Sequence, residues 1–347
     1  MSGRQLKSKQ REARAMGNPV RQRDPDTDLM RIAATLAVIV IHVSDLDSPW
    51  GIICNAAARF SVPVFVLISG YYLLPRETTV KEMVLRTVHT LAMALLWSAA
   101  YFAVDLLRGV RHYEGLDNLL FYLVTEPVHL WYLWAAAGLY MLTPMLSVFC
   151  RNADQKTYQY GLAVTFLLGT VITLMLRVSD WQILEKAVLQ TKLPYQTGFL
   201  FLYLAGGYFN KYAVKRPWII CVLGAFGTCA TILWAFWMPD RAADLALSFF
   251  APNTVWAGIG FFVLFKKAIQ VPEMKGCLRR TVGTLAECTG GIYLIHIEVI
   301  RLVEFAMPWL DGFFPLFMII CKGLAVFVLS CVMVKIMRTV PLLRRWT

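Results

Sequence analysis

Long apolar runs separated by short charged loops dominate this chain. Residues 157–176, 217–238 and 245–265 contain no Asp, Glu, Lys or Arg, and neither do residues 87–104, 128–150 and 193–210. Residues 60–75 form a shorter uninterrupted run, while 29–44, 287–306 and 312–334 are apolar with a few ionisable residues. About 20 mostly apolar residues suffice for a helix to cross ~30 Å of hydrocarbon. Transmembrane strands would instead show alternating segments of about ten residues. The pattern therefore predicts an all-α fold: a polytopic integral membrane helix bundle of about ten transmembrane helices.

Lysine and arginine orient that bundle. If the N-terminal segment is cytoplasmic, the inner loops carry Arg76, Lys81, Arg86, Arg151, Lys156, Lys211, Lys266 and Lys267, among others. The outer loops then hold only Arg108, Arg111, Arg177, Lys186, Lys192 and Arg241. Positive residues favour the cytoplasmic side, so the expected topology is N-in and C-in. Residues 1–27 form a basic cytoplasmic tail, 28–338 the membrane domain, and 339–347 a second cytoplasmic tail. Segments 105–127 and 177–196 are the largest outer loops. The tail 1–23 serves either as a polybasic contact with the anionic inner leaflet or only as an insertion signal. The first apolar run is expected to stay as an anchor rather than be cleaved.

Composition supports this class. The chain is 58% hydrophobic and 16% charged, against about 45–50% and about 25% in soluble domains. Mean hydropathy is +0.56. The net charge of +12 would suit a nucleic-acid binder only if charge were abundant on a soluble surface. It is scarce here, so no nucleic-acid partner is expected. The eight cysteines show no CxxC or Cys/His spacing, and no metal site is expected.

Polar residues inside the runs carry the candidate chemistry. Arg31 and His42 are eleven residues apart, so on a helix they differ by only about 20° and lie about 16 Å apart along the axis. Asp28, Thr35 and Asp45 fall on the same face. Ionisable groups in a span usually face a bundle interior or cavity and often mark function. The alternative is a snorkelling Arg31 and a hydrogen-bonded buried His42. Ser69-Gly70 permits close backbone approach, and Pro63 frees a carbonyl. His129, Trp131, Tyr132 and Trp134 open the fourth run, either as an interfacial aromatic belt or, for His129, as a cavity group. Tyr293 and His296 share a face, Glu298 and Arg301 can pair, and Lys322 needs a partner, for which Glu298 is a candidate.

In order, Asp28-Leu29-Met30-Arg31 with Arg-x10-His to His42, Arg59-Phe-Ser-Val-Pro63 through Ser69-Gly70-Tyr71, and His129-Leu-Trp131-Tyr132 form a set. Tyr140-x-x-x-Pro144, Leu204-Ala-Gly206-Gly207-Tyr208 and Gly290-Gly291-Ile-Tyr293-Leu-Ile-His296 complete it. This set resembles acyltransferase family 3, and most closely its bacterial surface-polysaccharide O-acyltransferases. Where the family often has Arg-x-x-Arg, this chain has Met83 before Arg86. No counterpart of the periplasmic hydrolase-like domain appended in some relatives is expected.

The resemblance implies transfer of an acyl group, usually acetyl, from cytoplasmic acyl-CoA to a sugar hydroxyl. Acetyl-CoA enters as a co-substrate, with no permanently bound cofactor. The acceptor is a cell-surface or lipid-linked saccharide, and the setting is the bacterial inner membrane and its lipids. Arg31 and Arg86 would hold the donor's phosphates, with Arg31 also in the catalytic path. His42 would serve as general base, an imidazole whose ordinary pKa of about 6.5 lies near working pH. Arg59, His129, Trp131, Tyr132, Tyr293 and His296 would meet the acceptor. The competing readings are a transporter of a lipid-linked sugar or organic anion and a non-catalytic membrane scaffold. A transporter predicts paired broken helices, which the runs do not show.

Overall fold

The structure, a computed structural model, describes residues 24–113, 115–125, 128–172, 174–175, 193–238, 245–269 and 274–347. No strand occurs among them. Helix α1 (Pro25–Val43) is followed by α2 (Pro49–Ala58) and α3 (Ser61–Leu73), which run on as one 25-residue apolar stretch. Then come α4 (Val80–Leu107), α5 (Leu116–Thr125), α6 (Trp131–Asn152) and α7 (Gln155–Phe166). The second half comprises α8 (Leu193–Lys211), α9 (Pro217–Trp237), α10 (Pro252–Val263), α11 (Gly276–Ala306), α12 (Pro315–Thr339) and the short α13 (Pro341–Arg344).

Every expected apolar run falls at least partly on a helix. Five stretches are long and apolar enough to cross a membrane by length and composition: Pro49–Leu73, Val80–Leu107, Trp131–Asn152, Pro217–Trp237 and Pro315–Thr339. Three expectations need correction. The run 245–265 is irregular up to Ala251, and its helix begins only at Pro252, a proline suited to a first turn. Segment 105–127 is not all loop, because it contains α5, whose Tyr122 hydroxyl donates to Asp105 at 2.9 Å. At ten residues α5 is too short to span. Asp45 does not continue the polar face of α1, since Ser44 ends that helix and Asp45 lies in the exposed turn beyond it. The basic tail 1–23 and most of the expected outer loop 177–196 lie outside the described residues.

Side-chain size is sorted as lipid demands. On α9, Trp218, Val222, Phe226, Leu233 and Trp237 point outward and exposed, while Gly224, Gly227, Thr231 and Ala235 are buried. Lipid is as apolar as leucine, so close packing of small residues, rather than burial of large ones, joins such helices. A Cβ on Gly224 would lie 2.5 Å from the Cα of Gly260, so α9 and α10 meet backbone to backbone. Gly70 serves likewise between α3 and α8: its Cβ would sit 1.9 Å from the Tyr203 carbonyl oxygen.

The apolar interior divides in two. One cluster joins α3, α8 and α10 through residues such as Leu67, Leu202, Tyr203 and Phe262. The other joins α4, α11 and α12 through Ala94, Ile292, Val299 and Val326. α1 contributes to both, with Met30 and Ala34 in the first and Ile39 and Val43 in the second, as does α6 with Leu139 and Leu133. These two helices therefore lie along the seam between the lobes.

The start of α1 is pinned firmly. Asp24 caps the helix by accepting from the Asp26 amide at 3.2 Å, accepts from the Tyr72 hydroxyl at 2.6 Å and ion-pairs with Lys266. Burial alone would raise the Asp24 carboxyl, but Lys266 and Tyr72 hold it below its ordinary value. A second network ties α4, α5 and α11. The expected pair forms, with Arg301 donating to Glu298 at 2.7 Å, and it extends to Asp105 at 3.0 Å and to an Arg108–Glu298 pair at 3.1 Å. Glu298 is thus occupied, and Lys322 pairs instead with Asp311 at 2.5 Å. Asp311 sits in the turn just before α12, where the long lysine side chain reaches it.

Candidate functional site

The seam between the lobes holds two cavities. The first, of about 340 Å³, is lined by Arg31 with Phe65, His89, Met93, Gly290 and Arg345, among others. The second, of about 320 Å³, is lined by His42 with Asn55, Arg59, His129, Trp131 and Phe249, among others. Tyr132 and Tyr293 line both. Their rings stand edge to face with centroids 5.9 Å apart, so this tyrosine pair is a shared wall. α1 runs past the wall, carrying Arg31 on one side and His42 on the other.

Each wall of the histidine cavity is held by hydrogen bonds. His129 sits in a 3-10 turn, Val128–Leu130, immediately before α6. The Tyr293 hydroxyl donates to the His129 carbonyl, which joins α11 to that turn. His296 follows Tyr293 by one turn, and its Nδ1 lies 2.7 Å from the Tyr293 carbonyl. A carbonyl can only accept, so Nδ1 carries the proton in the neutral ring and Nε2 keeps its lone pair. The His296 ring is 5.2 Å from those of both His42 and His129. Both His129 and His296 are buried, and the Nε2 of each has no partner among the described residues. His42 itself is open to the cavity.

The second span supplies the cation. Arg59 follows α2 directly, and its Nε donates to Asn55 Oδ1 at 2.9 Å. Asn55 in turn donates from Nδ2 to the Ile41 carbonyl at 2.9 Å, next to His42. The guanidinium lies 5.1 Å over the Phe249 ring. Trp131 stacks on Phe199, with centroids 5.6 Å apart, leaving the rest of its ring to line the cavity.

Arg31 lines the other cavity, one turn before Thr35, whose hydroxyl donates to the Arg31 carbonyl at 2.8 Å. No carboxylate among the described residues pairs with Arg31 or Arg59. An unpaired guanidinium inside a bundle is costly unless a cavity or ligand solvates it. Arg86 stands apart from the lining residues, with its guanidinium 5.3 Å over the Tyr140 ring and its side chain exposed. His89, three residues on, lines the wall instead.

The structure thus brings His42, Arg59, His129, Trp131, Tyr132 and Tyr293 around one cavity, with His296 packed behind His42. It places Arg31 across the tyrosine wall and Arg86 outside both linings. Sequence reasoning missed Asn55, His89, Phe249 and Arg345. Asn55 left a usable signal, a buried amide at i−4 from Arg59 on the same helix. The others left none.

A family model describing an acyltransferase domain matches residues 24–335. Neither a curated protein nor a solved structure matches the chain. The matched region begins at the Asp24 cap of α1 and ends within α12, so it contains every lining residue of both cavities except Arg345 and Thr347, and the chain belongs to acyltransferase family 3.

Proposed function

We propose that this protein is an O-acyltransferase of the bacterial inner membrane, oriented N-in and C-in. It moves an acetyl group from cytoplasmic acetyl-CoA to a hydroxyl of a cell-surface or lipid-linked glycan. The observation that carries this reading is the pair of cavities meeting at one wall, with an unpaired arginine on one side and an accessible imidazole on the other. Two chambers that share a wall suit a reaction whose substrates arrive from opposite faces.

The donor's anionic phosphates would sit toward Arg31, with Arg86 near the entrance, because guanidinium matches phosphate geometry. Its slender thioester arm would then extend along α1 to the tyrosine wall. The acceptor would lie among Trp131, Tyr132 and Arg59. Neutral His42 takes the proton from the acceptor hydroxyl as that oxygen attacks the thioester carbonyl. Arg59, fixed by Asn55, faces the negative charge growing on the carbonyl oxygen. The C–S bond then breaks, and the thiolate takes the proton back from His42. The products are an O-acyl ester and free CoA thiol. His296, with its Nε2 lone pair fixed by the Tyr293 carbonyl, is placed to orient or share charge with the His42 ring.

The test supplies purified protein with acetyl-CoA and a lipid-linked glycan and follows ester formation. His42→Ala is expected to lower the rate by about 10²–10⁴-fold. Transfer by that variant at the wild-type rate would remove the proposed base. Flux of the saccharide through liposomes without CoA would favour the transporter instead.

A further inference from the structure

The segment Pro341–Thr347 lies outside every motif used above, yet it helps form the arginine cavity. Arg345 and Thr347 line that cavity beside Arg31 and His89. The segment is anchored from two helices. From α4, Trp97 Nε1 donates to the Trp346 carbonyl at 3.0 Å, and the His89 ring stacks on Trp346 with centroids 5.2 Å apart. From α12, Arg338 donates from Nη2 to the Thr347 main-chain oxygen at 3.0 Å, and the same Nη2 donates to the Glu287 carbonyl of α11 at 2.9 Å, which holds Arg338 in place. The segment is therefore a strap that forms part of the cavity wall, held to α4 and α12.

Two adjacent arginines on this strap differ in one respect. Arg345 faces the cavity, while Arg344 does not line it. No carboxylate among the described residues pairs with Arg345, whose guanidinium lies 5.7 Å over Trp346. Arg345 is exposed at the cavity that Arg31 also lines, so two guanidiniums border one space. Two guanidiniums facing one cavity repel each other unless an anion comes between them. Beyond that cationic mouth the walls are Phe65, Met93, Leu133 and Leu294, which suits a ligand with an anionic head and a slender arm.

We propose that the strap is part of the donor site and that Arg345 and Arg31 together bind the phosphates of the acyl-CoA. This rests on the donor reading above and adds residues to it that lie outside the matched family region. Loading of the donor then depends on a segment whose own anchoring is local, through Trp97 and Arg338.

The test is calorimetric titration of the full-length detergent-solubilised protein with acetyl-CoA, alongside thermal melting of each variant. Arg345→Gln is expected to weaken binding about tenfold, as loss of a charge-assisted contact does, while Arg344→Gln leaves it unchanged. Arg345→Lys keeps the charge but not the bidentate fork, and is expected between the two. Should Arg345→Gln melt early, Trp97→Phe replaces it. That change removes only the strap's anchor and is expected to weaken binding roughly threefold. Equal losses in the Arg344 and Arg345 variants would mean general surface charge and overturn the proposal. Unchanged affinity in Arg345→Gln would overturn it while leaving the donor reading intact. A wild-type protein that does not bind acetyl-CoA would overturn both.

Discussion

The two cavities are of similar volume and share a wall, but they are built differently. The histidine cavity is framed by groups fixed through hydrogen bonds to neighbouring side chains and backbone carbonyls. Asn55 ties Arg59 to the Ile41 carbonyl, and Tyr293 and His296 lock to backbone carbonyls of their own neighbourhood. The arginine cavity is closed by a strap and contains a glycine, Gly290, whose added Cβ would meet nothing within 4 Å. Rigid walls suit a place where bonds are made, since misplacement there is costly. An adaptable mouth suits a place where a long ligand must enter and leave. The difference predicts a split: changes in the first cavity should act on kcat, and changes in the second on KM for the donor.

That split can be broken experimentally. The largest expected effect after His42→Ala is Arg59→Gln, which should lower kcat by about 10²-fold with the donor's KM little changed. A rise in KM alone would place Arg59 in binding rather than chemistry. Next is Arg31→Gln, expected to raise the donor's KM about tenfold and to lower kcat less than Arg59→Gln does. If it acts on kcat alone, the two cavities are not functionally separate. The smallest effect tests stability at the far end of the lobe. Lys322 is buried while its partner Asp311 is largely exposed. Asp311→Ala strands a buried ammonium and is expected to lower the melting midpoint by about 2–4 °C. Lys322→Met strands only an exposed carboxylate and is expected to melt near the wild type.

The same contrast explains what could be read from the sequence. The apolar runs located the helices because lipid imposes an almost uniform code on a span. Helical periodicity placed Arg31 and His42 on one face, and local spacing placed Tyr293 beside His296. Most of the histidine cavity's lining residues stood out in the sequence as polar or aromatic groups within apolar runs, although their meeting spans the chain. The arginine cavity depends on His89 and Arg345 meeting across most of the chain, and no spacing encodes that meeting. Arg86 was expected at the donor, yet it lies exposed over Tyr140 while His89, one turn further along α4, lines the cavity. Lys322 shows the same limit. Glu298 was a plausible partner by depth, but Arg301 and Arg108 had already claimed it.

The tyrosine wall has a consequence for the cell rather than for the reaction. If, as proposed, the two hollows open to opposite faces of an inner membrane, the bundle is one constriction away from a pore in a membrane that stores energy as ion gradients. Tyr132 and Tyr293 separate the two hollows with closely set aromatic rings, one of them tethered to the His129 carbonyl. Rings parted briefly by a thin, uncharged thioester arm would close behind it, whereas a hydrated ion would have to shed its water to follow. On the proposed reading, the bundle would hand a chemical group across the bilayer without short-circuiting it.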